Sequence, residues 1–176
     1  MAARLLGRLG HSLVNDRTTD SLYVLGGQRG ESFRSDWWQV PLPQASASAA
    51  APFDSSALAP ALLSYDTAKQ GGPPLSFAQR ATVDPETGMW TVLSGSTQVS
   101  GSGKEVQGQD IWVRTKGAQS GGWEAVERRG EEPVGRFAGQ VVFDPRHKHH
   151  YMFGGNPADE HDKGRRLADF WRLKVT

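Results

Sequence analysis

The sequence predicts an all-β fold built from one repeated antiparallel unit, on three observations. Asp16, Asp84 and Asp144 come into register when the chain is slid against itself. Each is followed ten residues later by Gly26, Ser94 or Gly154, and then by a glycine, Gly27, Gly95 or Gly155. After a loop of variable length come Asp36-x-Trp38, Asp110-x-Trp112 and Asp169-x-Trp171. Self-similarity of this kind marks a repeat architecture, in which each copy is one supersecondary unit that buries its faces against its neighbours.

The elements follow in order. Residues 1–7 are a short stub and 8–65 form the first unit. In it GHSLVND (10–16), a turn at Arg17 to Asp20 and SLYVL (21–25) read as a β-hairpin, two β-rich runs separated by turn residues. The second run is apolar or aromatic in every unit: LYVL at 22–25, WTVL at 90–93, HYMF at 150–153. Such runs suit strands covered on both faces. The glycine pair that follows allows positive φ and close backbone approach where the strand bends away. Because Ser94 replaces the first glycine in the second unit, the second glycine is the stricter requirement.

Residues 41–60, PLPQASASAAAPFDSSALAP, are an Ala/Ser/Pro insertion punctuated by Pro41, Pro43, Pro52 and Pro60, and are expected to be a flexible excursion. Ala61 to Tyr65 fits an outer, fourth strand of the first unit. The second unit, 66–128, closes the same way with Trp123 to Val126. The third, 129–176, stops after its third strand and lacks the outer one. Polar loops at 28–35, 96–109 and 156–168 vary in length, as surface connections do.

The recurring acids and tryptophans are expected to be structural. Asp16, Asp84 and Asp144 are turn formers whose carboxylates bond the backbone two residues on. Asp36, Asp110 and Asp169 are expected to satisfy backbone amides, and Trp38, Trp112 and Trp171 to be the units' main packing residues. Arg8, Arg80 and Arg136 lie near the starts of the first strands. A salt bridge or amide contact to a neighbouring unit is the main expectation, and an arginine ring for an acidic partner the alternative.

Composition bounds the function. The chain has 176 residues, 37% of them hydrophobic, and a net charge of +1. Its scattered, offset charges give no footprint for nucleic acid or an anionic membrane. No run approaches the roughly 18 to 20 apolar residues of a membrane helix, and MAARLLGRLGH is too short in its apolar core for a secretory signal. With no cysteine there is no disulfide framework, thiolate nucleophile or cysteine zinc site. The expected location is cytoplasmic, with the nucleus also open. His147, His149 and His150 read as a solvated turn and not a metal site, and no cofactor is expected. GSGKE (101–105) fails as a phosphate loop, since Gln98 and Glu105 stand where glycine and Ser or Thr are needed.

Four antiparallel strands per unit with a periodic glycine and aromatic signature describe a β-propeller blade. Rings of typically four to eight blades remove exposed edges, and about three blades do not close one. The expectation is therefore either a part of a longer chain or edges covered by another chain, with a homo-oligomer if the chain is complete.

Gly-Gly after an apolar strand, followed by an aromatic and a tryptophan at set offsets, resembles the kelch repeat. More narrowly, FAQRATVDPETGMWTVLSG (77–95), EEPVGRFAGQVVFDPRHKHHYMFGGNP (131–157) and RLADFWRLKV (166–175) resemble the C-terminal kelch repeats of the muskelin family. GHSLVNDRTTDSLYVLGGQR (10–29) is similar to the repeat before them. The resemblance implies a six-bladed kelch propeller preceded by discoidin-like, LisH and CTLH segments. It implies a non-catalytic scaffold or adaptor of a CTLH (GID-like) E3 ubiquitin ligase, with CTLH subunits as protein partners. The family carries a histidine five residues before the turn aspartate in several repeats; His11 keeps it, while Gln79 and Gly139 replace it.

The loops after Gly27, Gly95 and Gly155 should share one rim. Arg29, Arg34, Lys104, Glu105, Asp159, Glu160 and Arg165 on it are the candidate partner contacts. A cytoskeletal, actin-associated kelch protein is an alternative reading. A kelch-fold enzyme is a weaker one, because zero cysteines removes the thioether cofactor of the copper oxidases of this architecture.

Overall fold

The computed structural model describes residues 4–43, 58–75, 77–93, 96–98, 105–107, 111–115, 122–127, 129–157 and 165–175, with the side chains of 96–98 and 105–107 excepted. Most of the 41–60 insertion and Ser94, Gly95, Lys104, Asp110, Asp159 and Glu160 lie outside these residues, as does the side chain of Glu105.

The described residues are all-β and antiparallel, with a 3-10 turn at Ala68–Gln70. Strands β1 (Ser12–Asp16), β2 (Ser21–Arg29), β3 (Ser32–Pro41) and β4 (Ala61–Ser64) form sheet one, paired in sequence order. Next come β5 (Arg80–Val83), β6 (Trp90–Leu93), β7 (Ser96–Gln98), β8 (Glu105–Gln107), β9 (Ile111–Arg114) and β10 (Trp123–Ala125). Of these, β5, β6, β9 and β10 form sheet two in that order, and β7 pairs with β8 in a separate hairpin between β6 and β9. Then follow β11 (Arg136–Phe137), β12 (Gln140–Asp144), β13 (His149–Phe153), β14 (Asn156–Pro157) and β15 (Phe170–Leu173). Sheet three is β12, β13 and β15, and β11 pairs with β14.

The same chemistry opens each sheet. Asp16, Asp84 and Asp144 accept the backbone N–H two residues on, from Thr18 at 2.8 Å, Glu86 at 2.9 Å and Arg146 at 2.9 Å. These Asx-type turns reverse the chain between the first and second strands. The register then repeats: Val24 faces Trp38, Val92 faces Trp112 and Met152 faces Trp171. In β1 the period of two puts Ser12, Val14 and Asp16 inside with Leu13 and Asn15 outside. Strand β2, covered on both faces, is buried through most of its length.

Successive sheets meet through their first strands. Ala78 N–H donates to Gly10 O at 2.7 Å, and Ala138 N–H donates to Ala78 O at 3.4 Å. Gly10, Ala78 and Ala138 hold φ near +64°, +59° and +58°, one left-handed residue before each first strand. Two of the three are alanine, which accepts this conformation at a cost of roughly 1–2 kcal/mol. Between sheets one and two the core consists of Val14, Tyr23, Leu25, Trp37, Leu75, Trp90, Val92 and Trp123. Its rings meet edge to face, with Tyr23 4.9 Å from Trp90 and Trp37 5.6 Å from Trp123 between centroids.

Candidate functional site

The recurring polar residues of the repeat assemble into clusters. In sheet one, the Arg8 guanidinium forks onto both carboxylate oxygens of Asp36, donates to Gly26 O at 3.0 Å, and donates through Nε to Leu6 O at 3.1 Å. The Trp38 indole N–H donates to Asp36 Oδ2 at 2.8 Å. Sheet three repeats this group by group. Arg136 reaches Asp169 Oδ1 at 2.5 Å and Oδ2 at 2.7 Å, Gly154 O at 3.2 Å and Val134 O at 3.0 Å, while Trp171 donates to Asp169 Oδ2 at 2.6 Å. A planar fork suits arginine and excludes lysine at this place. Hydrogen bonds from Arg136, and then from Trp171, hold the Asp169 carboxyl well below the usual carboxylate range.

These clusters differ from the sequence expectation in two respects. Asp36 and Asp169 take a guanidinium and an indole as their main partners, where backbone amides were expected. Arg8 and Arg136 bind aspartates of their own repeat units, so these contacts neither bridge to a neighbouring unit nor present an arginine ring. Arg80 is shifted along the repeat and does cross over, donating from Nε to Gly139 O of the third segment at 2.6 Å. Trp112 sits at the register of Trp38 and Trp171 with Nε1 buried and without a partner among the described residues.

A second set of polar contacts joins sheets two and three. The Lys148 ammonium donates to Asp84 Oδ2 at 3.0 Å and to Glu86 Oε2 at 2.7 Å. These carboxylates raise the Lys148 pKa, Glu86 contributing most. His150 Nε2 lies 3.0 Å from Thr82 Oγ1, and burial pushes its imidazole pKa down to about 4. His147 instead pairs with Asp144 at 2.5 Å on the turn, and His149 stacks near Tyr151. The three histidines therefore serve three separate contacts. Among the described residues no group of three or more His, Cys, Asp or Glu is placed to hold a metal ion.

The interface between sheets two and three is otherwise open. Leu93, Ile111 and Val113 on one side face Val141, Met152 and Trp171 on the other across a cleft of about 560 Å³. Trp37 and Trp90 fill the corresponding space between sheets one and two; at their repeat positions Ile111 and His150 stand here, alongside Trp171.

Of the rim residues, Arg29 and Arg34 are brought together. Both are exposed and line a cavity of about 150 Å³ with Arg4 and Tyr65, directly above the Arg8–Asp36–Trp38 cluster. Gly27 pairs with Arg34 across β2 and β3. Arg165 is exposed at the start of the last described segment. Lys104, Asp159 and Glu160 lie outside the described residues, and Glu105 begins β8. The sequence assigns no role to Trp37 or Lys148, and marks Gln79 only as standing in the place of His11. Gln79 is fully buried and its amide donates to Leu25 O of sheet one at 2.5 Å.

No protein-family profile matches the chain. Among solved structures it is similar to that of YjhT, with a TM-score of 0.62 at 16% sequence identity over 98% of this chain and 44% of that one. At this identity the likeness speaks to fold alone. The chain spans less than half the length of that protein. No helix among the described residues is long and apolar enough to cross a membrane.

Proposed function

We propose that the chain forms part of a muskelin-type kelch β-propeller and acts as a non-catalytic protein-binding scaffold in a CTLH-type E3 ubiquitin ligase assembly. The observation that carries the reading is the repetition of one Arg–Asp–Trp cluster, atom for atom, in sheets one and three. Machinery copied at equivalent places belongs to the scaffold, because a catalytic group has no reason to recur in every unit. In this reading the three sheets are blades, with three strands of the third among the described residues.

Function then falls to the rim, where loops vary without disturbing the blades. The exposed Arg29 and Arg34 give that rim a cationic corner, and an acidic protein segment is the complementary partner. The working location is the cytoplasm, and the nucleus as well.

The test is affinity capture with the full-length protein carrying charge reversals at Arg29, Arg34 and Lys104. Loss of ligase subunits from the captured set, with the β-sheet circular dichroism retained, is the expected result. Unaltered recovery of every partner removes the rim assignment. Co-sedimentation with actin filaments that the same reversals abolish would instead favour the cytoskeletal alternative.

A further inference from the structure

Sheets one and three share the Arg–Asp–Trp cluster but not what stands above it. Over the Arg8–Asp36–Trp38 cluster, Arg4, Arg29 and Arg34 line the cavity of about 150 Å³. Counted from the cluster arginine, the glycine pair and the cluster aspartate, the same places in the third unit hold Glu132, Pro157 and Leu167. Three arginines confined to one copy do not belong to the repeated framework.

The charges at this place are unbalanced. Four arginines, Arg8 included, line the cavity against one carboxylate, Asp36, an excess of three positive charges. Asp36 is already taken by Arg8 and by the Trp38 indole. Arg4, Arg29 and Arg34 are exposed, and none of their side chains makes an ion pair or hydrogen bond with another described residue. The hairpin register draws two of them together. Arg29 pairs with Ser32 and Gly27 with Arg34, so Arg29 and Arg34 are diagonal neighbours on one face, roughly 7–8 Å apart along the backbone. Like charges held this close repel, and an anion between them removes the repulsion.

Size and donors fix the class of anion. The cavity is well below the roughly 300–1,000 Å³ that takes a whole small molecule, so it takes one group of a larger partner. A carboxylate brings one charge and two oxygens. A phosphomonoester brings about two charges at pH 7 and three strong acceptor oxygens, which suits guanidinium forks supplied by the 4–8 segment, β2 and β3. Tyr65 lines the same cavity and adds a hydroxyl donor.

We propose that Arg4, Arg29 and Arg34 form a binding site for a phosphomonoester, carried on a phosphorylated segment of a protein partner. The phosphoryl site stands on the cavity and its charges. Its delivery by a protein rests on the scaffold reading, and narrows the acidic partner of that reading to a phosphorylated one.

The experiment is calorimetric titration of the full-length protein with a capped alanine–phosphoserine–alanine peptide, the same peptide with serine or glutamate at the centre, and inorganic phosphate. The variants are Arg29→Ala, Arg34→Ala and Arg34→Lys, all at exposed side chains, with circular dichroism as the check on folding. The phosphoserine peptide is expected to bind at least tenfold tighter than the glutamate peptide, with no binding of the serine peptide. Inorganic phosphate should compete with it. Each alanine should weaken phosphopeptide binding at least tenfold, and Arg34→Lys nearly as much, because an ammonium keeps the charge and loses the fork. Equal affinity for the phosphoserine and glutamate peptides overturns the proposal, as does binding that Arg34→Lys leaves intact; either result leaves the acidic-segment reading standing. Binding of inorganic phosphate without the phosphopeptide overturns the protein-borne form, and binding of no probe overturns the site. Phosphopeptide binding that the variants abolish while capture of the ligase subunits is unchanged keeps the site and removes the ligase reading.

Discussion

Gly27 and Gly155 occupy one place in two sheets, with φ of +104° and +107°. A Cβ on either would lie 2.9 Å from a carbonyl oxygen, Leu9 O for the first and Phe137 O for the second. The glycine pair is therefore a backbone crossing point, where the end of the second strand passes the segment that leads into the first. Gly27→Ala and Gly155→Ala are each expected to cost roughly 2–4 kcal/mol, from the backbone conformation and the collision together. Gly30→Ala, at φ +58° with open space around it, should cost about 1 kcal/mol. Urea midpoints of the three variants check the order.

The Arg–Asp pairs differ in burial, and this predicts unequal losses. The Asp36 side chain is 13% exposed and that of Asp169 is 38% exposed, while both arginines are buried. Asp36→Ala strands a buried guanidinium and should cost about 3–5 kcal/mol. Asp169→Ala should cost clearly less, because water reaches the site and screens the pair. Equal losses in chemical denaturation would contradict this arrangement.

Tryptophans at adjacent positions of the repeat should behave differently. Trp37 lies in the core between sheets one and two, against Tyr23, Trp90 and Trp123, whereas Trp171 is half-buried on the cleft. Trp37→Ala is expected to cost about 3–5 kcal/mol, with Trp171→Ala well below it.

Much of this was legible from the residues. The Asp-to-Gly-Gly spacing and the apolar second runs located the strands, since turn chemistry and β-branched or aromatic runs act locally. The Ala61 to Ser64 and Trp123 to Ala125 outer strands followed from them. The role of Trp37 did not. Alternation sends Trp37 and Trp38 to opposite faces, but which face meets a neighbouring sheet depends on stacking that no local pattern encodes. The Asp-x-Trp motif announced itself by recurrence. Its arginine partner lies 28 residues away from Asp36 and 33 from Asp169, a separation that only the folded sheet closes. Gln79 and Lys148 act between sheets; the repeat located Gln79 at the place of His11, but its amide contact to Leu25 lies in the other sheet and has no local pattern.

Acid should expose His150. Its pKa falls from 6.5 to about 4 on folding because burial disfavours the imidazolium, so between these values the unfolded chain binds more protons than the folded one. Stability therefore rises with pH through this window and is lost as pH drops from about 6.5 towards 4, by roughly 2–4 kcal/mol in all. The carboxylates Asp84 and Asp169, whose pKa values are lowered, lose their contribution only below the ordinary carboxylate pKa. His11 shifts in the same direction as His150, so the comparison must be with His150→Gln, which should flatten the profile above pH 4 without removing it. Parallel profiles for the two proteins would contradict the buried neutral imidazole.

The repeated Arg–Asp–Trp cluster is the claim on which the rest depends, and the indole N–H signals of the six tryptophans report it most directly. In ¹⁵N-correlated spectra with hydrogen exchange, Asp36→Asn and Asp169→Asn should each shift and deprotect one indole signal, that of Trp38 and that of Trp171 respectively. Arg8→Lys and Arg136→Lys should perturb the same two signals in the same pairing. Indole signals that do not move in any of the four variants would contradict the cluster, and with it the equivalence of sheets one and three.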